Sequence, residues 1–221
     1  MTSRRETPVT IVSKGVTLEG VLCLPDSPTP LPGVVVCHPH PLYGGCMDNG
    51  VVAAVCHALS EQSLVCLRFN FRGVGKSQGH FGQGLGEQED AMAAVSFLAA
   101  HPAVDPQSLA LAGYSFGARI ALTVAPKDAR VRALALVSPP VSAISPTLLD
   151  DWPKPKLLVI GSRDDFILPD EFRHFVHDLS EPKSYQVVEG ADHFWWGKER
   201  EVGEHLASFL ARCLGRGLRR S

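Results

Sequence analysis

Hydrophobic residues in this chain fall into two kinds of run. Short stretches with an apolar centre such as GVVVC (33–37), LVCLRFNF (64–71), SLALA (108–112), RALALVSP (132–139), KLLVIG (156–161) and SYQVVEG (184–190) read as strands. Between them lie longer amphipathic segments: DNGVVAAVCHALSEQ (48–62), EQEDAMAAVSFLAAH (87–101), FGARIALTVA (116–125), PDEFRHFVHDL (169–179) and EVGEHLASFL (201–210), with the 3.6-residue spacing of helices. Strands that are apolar on both faces and separated by helices predict a mostly parallel sheet covered on both sides, an α/β fold. Ahead of this series, VTIVS (9–13) and TLEGVLCL (17–24) flank Lys14-Gly15 and predict an antiparallel hairpin. The Pro-rich stretch SPPVSAISPTLLDDWPKP (138–155) has strand-like runs on both sides and reads as a loop inside one domain spanning residues 1–221.

Composition narrows the partners. A chain of 221 residues that is 45% hydrophobic can bury a substantial core. A formal net charge of -2 offers no broad basic surface for nucleic acid or anionic lipid, so a small-molecule ligand is expected, with neither nucleic acid nor membrane as partner. Two arginines near the N-terminus precede no apolar run, and no segment approaches spanning length, which predicts a cytoplasmic protein. Cys23, Cys37, Cys56, Cys66 and Cys213 sit within apolar runs and read as small buried hydrophobes; no CxxC pair occurs. The arginine-rich end LARCLGRGLRRS reads as a solvated, frayed tail.

Chemistry enters at Gly113-Tyr114-Ser115-Phe116-Gly117, a G-x-S-x-G between a strand and a helix. A serine on so sharp a turn is forced into an unfavourable backbone conformation, and the flanking glycines remove side chains that would collide there. Its hydroxyl is expected at the strand's C-terminal end beside the free N–H groups of a helix N-terminus. The partners of a serine nucleophile follow in the required chain order, Asp164 or Asp165 after KLLVIG and His193 after SYQVVEG, each just past a strand. His174, His177 and His205 fall on helical segments, which makes His193 the better base.

With HPHPLYGG, FNFRGVGKSQG, GYSFG, GSRDD followed by Pro169, and GADHF, the chain resembles the α/β-hydrolase superfamily over nearly its whole length. It looks most like the small, lidless carboxylesterases related to dienelactone hydrolases. The resemblance implies a central sheet with an N-terminal antiparallel hairpin, helices on both faces and no cap domain. It also implies Ser115 as nucleophile, His193 as base and Asp164 as acid, with Asp165 the alternative. One departure is Asn70, where many relatives carry Asp.

The loop CHPHPLYGGC (37–46) could be a metal knot, but Cys37 ends a buried strand and the repeated prolines stiffen the loop against wrapping an ion. No metal and no cofactor are expected. An oxyanion loop is the alternative. Prolines lack N–H groups, so within His38-Pro39-His40-Pro41 only the histidines can donate; the family geometry favours His40, together with Phe116, and Leu42 N–H is the fallback. GVGKS (73–77) imitates a phosphate loop, yet Asn70 stands where that pattern needs glycine and no helix follows directly.

The expected activity is that of a serine carboxylesterase-type hydrolase acting on small or short-acyl esters. Leu42, Tyr43, Phe194 and Trp195 are the expected substrate contacts, with Phe166 and Trp196 nearby in sequence. Amidase, thioesterase or lactonase chemistry would use the same three side chains, and a non-catalytic binding protein is the reading from another class. An imidazole base must be neutral to act, so activity is expected to fall in mild acid.

Overall fold

The computed structural model describes residues 4–215; the terminal arginines of the tail lie outside them. Its strands are β1 (Arg4–Ser13), β2 (Val16–Pro25), β3 (Leu31–Cys37), β4 (Val65–Phe69), β5 (Val104–Tyr114), β6 (Val131–Val137), β7 (Lys156–Arg163) and β8 (Lys183–Asp192). Its α-helices are α1 (Gly50–Glu61), α2 (Leu85–Ala99), α3 (Phe116–Val124), α4 (Pro169–Asp178) and α5 (Glu199–Leu214). The strands form one sheet in the order β1-β2-β4-β3-β5-β6-β7-β8.

β1 and β2 are the expected hairpin, paired from Arg4↔Pro25 to Ser13↔Val16. Lys14 and Gly15 both take positive φ, 40° and 89°, the requirement of a two-residue turn that matches strand twist. β1 begins five residues before the apolar run, because the polar segment Arg4–Pro8 completes the ladder with β2. β2 meets β4 antiparallel, and from β4 to β8 every neighbour is parallel.

Burial explains the unbroken apolar strands. Alternate side chains of β3 go to opposite layers: Val35 and Cys37 join the core under α2, α3 and α4, whereas Val34 and Val36 join the core under α1 and α5. Cys56 of α1 and Cys66 of β4 are buried as expected but are not separate hydrophobes. The helix lies over the strand with their Cα atoms 5.6 Å apart, and the two form a disulfide, a correction to the sequence reading. Residues 138–155 are a loop within the sheet's run, carrying short 3-10 turns at Val141–Ala143 and Pro146–Leu149.

The site is positioned by one topological fact. From β3 the chain first goes to β4 on one side and then crosses to β5 on the other, so loops leaving the C-terminal ends of β3 and β5 diverge and open a crevice. The β3 loop begins at His38 and the β5 turn holds Ser115.

Candidate active site

Ser115 sits between β5 and α3 with φ 52° and ψ −114°, a conformation costing an L-residue roughly 1–3 kcal/mol. What holds it there is the packing of its glycine neighbours. A Cβ on Gly113 would overlap the Gly117 carbonyl, and one on Gly117 would overlap the carbonyls of Cys37 and His38. The glycines therefore let α3 start against both its own strand and the β3 loop. Ser115 N–H donates to the Val137 carbonyl at 2.9 Å, fixing the turn to β6.

Three strand ends bring their side chains together. His193 Nε2 lies 3.2 Å from Ser115 Oγ, and His193 Nδ1 lies 3.0 Å from each carboxylate oxygen of Asp164. Toward a carboxylate Nδ1 must donate, which leaves the Nε2 lone pair facing the serine hydroxyl. Asp164 is buried, and its Oδ1 also accepts from the N–H groups of Phe166 and Ile167 at 3.0 and 2.9 Å. Asp165 is exposed and has no part in this network. Tyr114 donates its hydroxyl to the His193 carbonyl at 2.7 Å. Burial above all, and then the charges of Asp164 and Asp192, push the phenol's pKa upward, so the hydroxyl keeps its proton.

Two further residues went unseen in the sequence. Ser138, just past β6, donates to Asp164 Oδ2 at 2.8 Å and accepts from the Trp195 indole N–H at 3.2 Å. A serine after a strand has many uses, and no spacing rule ties it to an aspartate 26 residues on. Trp195 is therefore placed differently from its expected contact role: its ring is wholly buried in the core under α1 and α5, and its indole N–H holds Ser138, which in turn donates to Asp164. Its neighbours face outward. Phe194 and Phe166 lie 5.8 and 4.7 Å from the His193 ring, and Phe166, Trp196 and Tyr43 are 68%, 75% and 88% exposed. Leu42 is exposed on the same loop as Tyr43.

The β3 loop is built from within. His38 is buried; its Nδ1 is 2.7 Å from the Pro39 carbonyl and its Nε2 accepts the Phe71 N–H at 3.0 Å. Because a backbone N–H can only donate, the proton sits on Nδ1, and the ring clasps the β3 loop to the β4 loop. Burial pushes its pKa down to about 4. The Leu42 N–H is engaged by His40 Nδ1 at 3.2 Å, whereas the N–H groups of His40 and Phe116 make no hydrogen bond among the described residues. Burial, with Asp90 adding to it, raises the pKa of the Cys37 thiol far above its ordinary range, so neither Cys37 nor His38 presents a free ligand atom. No group of three or more His, Cys, Asp or Glu suited to a metal ion occurs among the described residues.

The imitation phosphate loop is closed on itself. Gly73 and Val74 N–H donate to Gln78 and Phe71 carbonyls, and Lys76 N–H donates to the Glu19 carboxylate, which stands where an anion would have to bind. Asn70 works as an amide: Oδ1 accepts from Met47 N–H and Nδ2 donates to Glu19 Oε1, both at 2.7 Å. A carboxylate at position 70 could not donate to Glu19, so the departure from the common Asp is matched by its partner.

Residues 35–214 match the model of a family described as the alpha/beta hydrolase domain. The chain belongs to the α/β-hydrolase family. Among its relatives this α/β-hydrolase is 35% identical to an uncharacterized protein of Rickettsia prowazekii, over 87% of this chain and 84% of that one. It superposes on an alpha-beta serine hydrolase homologue from Coxiella burnetii with a TM-score of 0.82 and 36% identity, covering 94% and 97% of the two chains. A Xanthomonas campestris serine hydrolase described as lacking a lid gives a TM-score of 0.81 at 28% identity, covering 98% of this chain and 97% of that one. Hydrolysis is the coarse activity that membership of this family supports. No helix among the described residues of this α/β-hydrolase is long and apolar enough to cross a membrane.

Proposed function

We propose that the chain is a serine carboxylesterase-type hydrolase of small or short-acyl esters, acting as one domain without a metal or cofactor. The observation that carries this reading is the hydrogen-bonded series Ser115–His193–Asp164 at the mouth of the crevice between β3 and β5. As Ser115 Oγ attacks the ester carbonyl carbon, its proton passes to His193 Nε2 and the carbonyl π pair moves onto oxygen. The N–H groups of His40 and Phe116 receive that oxyanion. Collapse expels the alkoxide, which takes the proton from Nε2, and a water molecule repeats the sequence to release the acid and restore the serine.

Support for a small-ester preference comes from the exposed aromatic rim of Phe166 and Phe194 beside His193, with Trp196 next to Phe194, and from the short segment after β6, which carries only 3-10 turns. Labelling with a fluorophosphonate and hydrolysis of 4-nitrophenyl esters of graded chain length test the proposal. The wild type is expected to be labelled and to turn over short acyl chains best. Ser115→Ala is expected to lose labelling and about 10⁴-fold or more in kcat. Undiminished hydrolysis by Ser115→Ala would refute the reading.

A further inference from the structure

A second feature lies one helical turn behind the nucleophile. Arg119 N–H donates to the carbonyl of Ser115, the N-cap residue of α3, at 3.2 Å, so Arg119 stands one turn into the helix, about 6 Å along its axis from the cap. Arg119 is half-buried and lines a cleft of about 300 Å³ between the start of α2, α3 and the loop after β6. That volume is at the lower end of small-molecule pockets, which run from about 300 to 1,000 Å³. The cleft's apolar wall is Leu85, Ala143, Ile144 and Leu148.

Among the half-buried arginines of the described residues, Arg119 alone has no carboxylate partner. The other half-buried arginines, Arg68, Arg72 and Arg130, are each hydrogen-bonded to Asp or Glu. The Arg119 guanidinium makes no hydrogen bond or ion pair among the described residues and rests over the Phe116 ring at 5.2 Å. Glu87, the buried acid nearby, is spent on the N–H groups of Gly82 and Gly84. Room for the guanidinium is kept by Gly84, where a Cβ would come within 2.8 Å of Arg119 Nη2. The charge also reaches the β3 loop: His40 is held below its ordinary pKa by burial first and by Arg119 second, with Glu87 opposing.

Partial burial removes some of the water around a cation, and an apolar wall with one unpaired cation suits an anion carried on a short hydrocarbon stem. In the proposed reaction His193 must protonate the leaving group, so that group belongs beside His193, among Phe166 and Phe194. The Arg119 cleft shares none of these residues; its arginine rests over the Phe116 ring, which His40 meets at 4.9 Å, and that leaves the cleft to the acyl chain. We propose that this cleft is an acyl subsite for a carboxylate-terminated chain, with Arg119 as its counter-ion. The proposal rests on the esterase reading for the reaction but not for the binding.

The test compares a 4-nitrophenyl monoester of glutaric acid with 4-nitrophenyl valerate, a neutral ester of matched length. In wild type the ratio of kcat/KM, anionic over neutral, is expected to fall as salt rises. Arg119→Gln is expected to lower that ratio about ten- to a hundredfold, and Arg119→Lys to retain part of it. Leu148→Glu, on the opposite and partly exposed wall, leaves α3 untouched and is expected to lower the same ratio. An unchanged ratio in Arg119→Gln and Leu148→Glu would overturn the proposal while leaving the esterase intact. Calorimetric titration of glutarate into Ser115→Ala and into the double variant Ser115→Ala/Arg119→Gln separates the two readings. Arg119-dependent binding upholds the subsite even if no ester is hydrolysed, and absence of glutarate binding to Ser115→Ala sinks it.

Discussion

Asp164 shows how much of the candidate site's geometry depends on residues set back from Ser115. Its two oxygens face His193, two backbone N–H groups and the Ser138 hydroxyl, so the carboxylate has little freedom to rotate. Ser138 itself holds a positive φ of 43° and is tied to Val159 through its own N–H. Ser138→Ala removes one hydrogen bond to a charged group, an interaction worth about 1.5–3 kcal/mol, and leaves the Trp195 N–H without a partner. Steady-state kinetics on a short ester are expected to show kcat reduced about tenfold or more with KM little changed, the signature of a positioning residue. The three principal side chains were legible in the sequence because motif, chain order and strand ends coincide. Ser138 and Arg119 were not, since neither has a spacing rule and each acquires meaning only from what the fold brings beside it. The choice between Asp164 and Asp165 likewise needed geometry: adjacent aspartates look alike until one is buried against His193 and the other faces water.

At the scale of elements, the apolar runs located the sheet well because parallel strands buried on both faces leave few polar positions to blur the pattern. The pattern failed where pairing rather than burial makes structure, as in the polar start of β1, and where a helix crosses a strand, as in the Cys56–Cys66 disulfide. The junction that matters most is the close approach of α3 to the β3 loop. Gly117→Ala would set a methyl against the carbonyls of Cys37 and His38, and the helix would have to retreat from the loop. Chemical denaturation is expected to show a loss of at least about 1–3 kcal/mol, accompanied by a fall in hydrolysis as the N–H groups of Phe116 and His40 move apart.

For the whole molecule, His38 couples stability to acidity. Its pKa stands at about 4 in the folded protein against the ordinary 6.5. Below pH 6.5 the unfolded chain therefore takes up a proton that the native state refuses, and stability is lost as pH falls toward 4. Integrated over that window the loss is roughly 3 kcal/mol from this residue alone. Urea unfolding at neutral and mildly acid pH is expected to record it, with a shallower pH dependence in His38→Gln. Protonation would also deprive the Phe71 N–H of its acceptor, so the clasp between the β3 and β4 loops opens in the same range.

The parallel register of β3 and β5, in which Cys37 pairs with Gly113, has a practical corollary. Ladder hydrogen bonds, not loop stiffness, set the distance between the two segments that meet at Ser115. The opposite rim, where the chain enters its strands, is mechanically insulated from that distance, and the mostly exposed turn 26–30 leading into β3 is part of it. An engineer wishing to splice in a tag or a second module would choose that turn, since a graft there pulls on the end of a strand whose other end the sheet already holds fast.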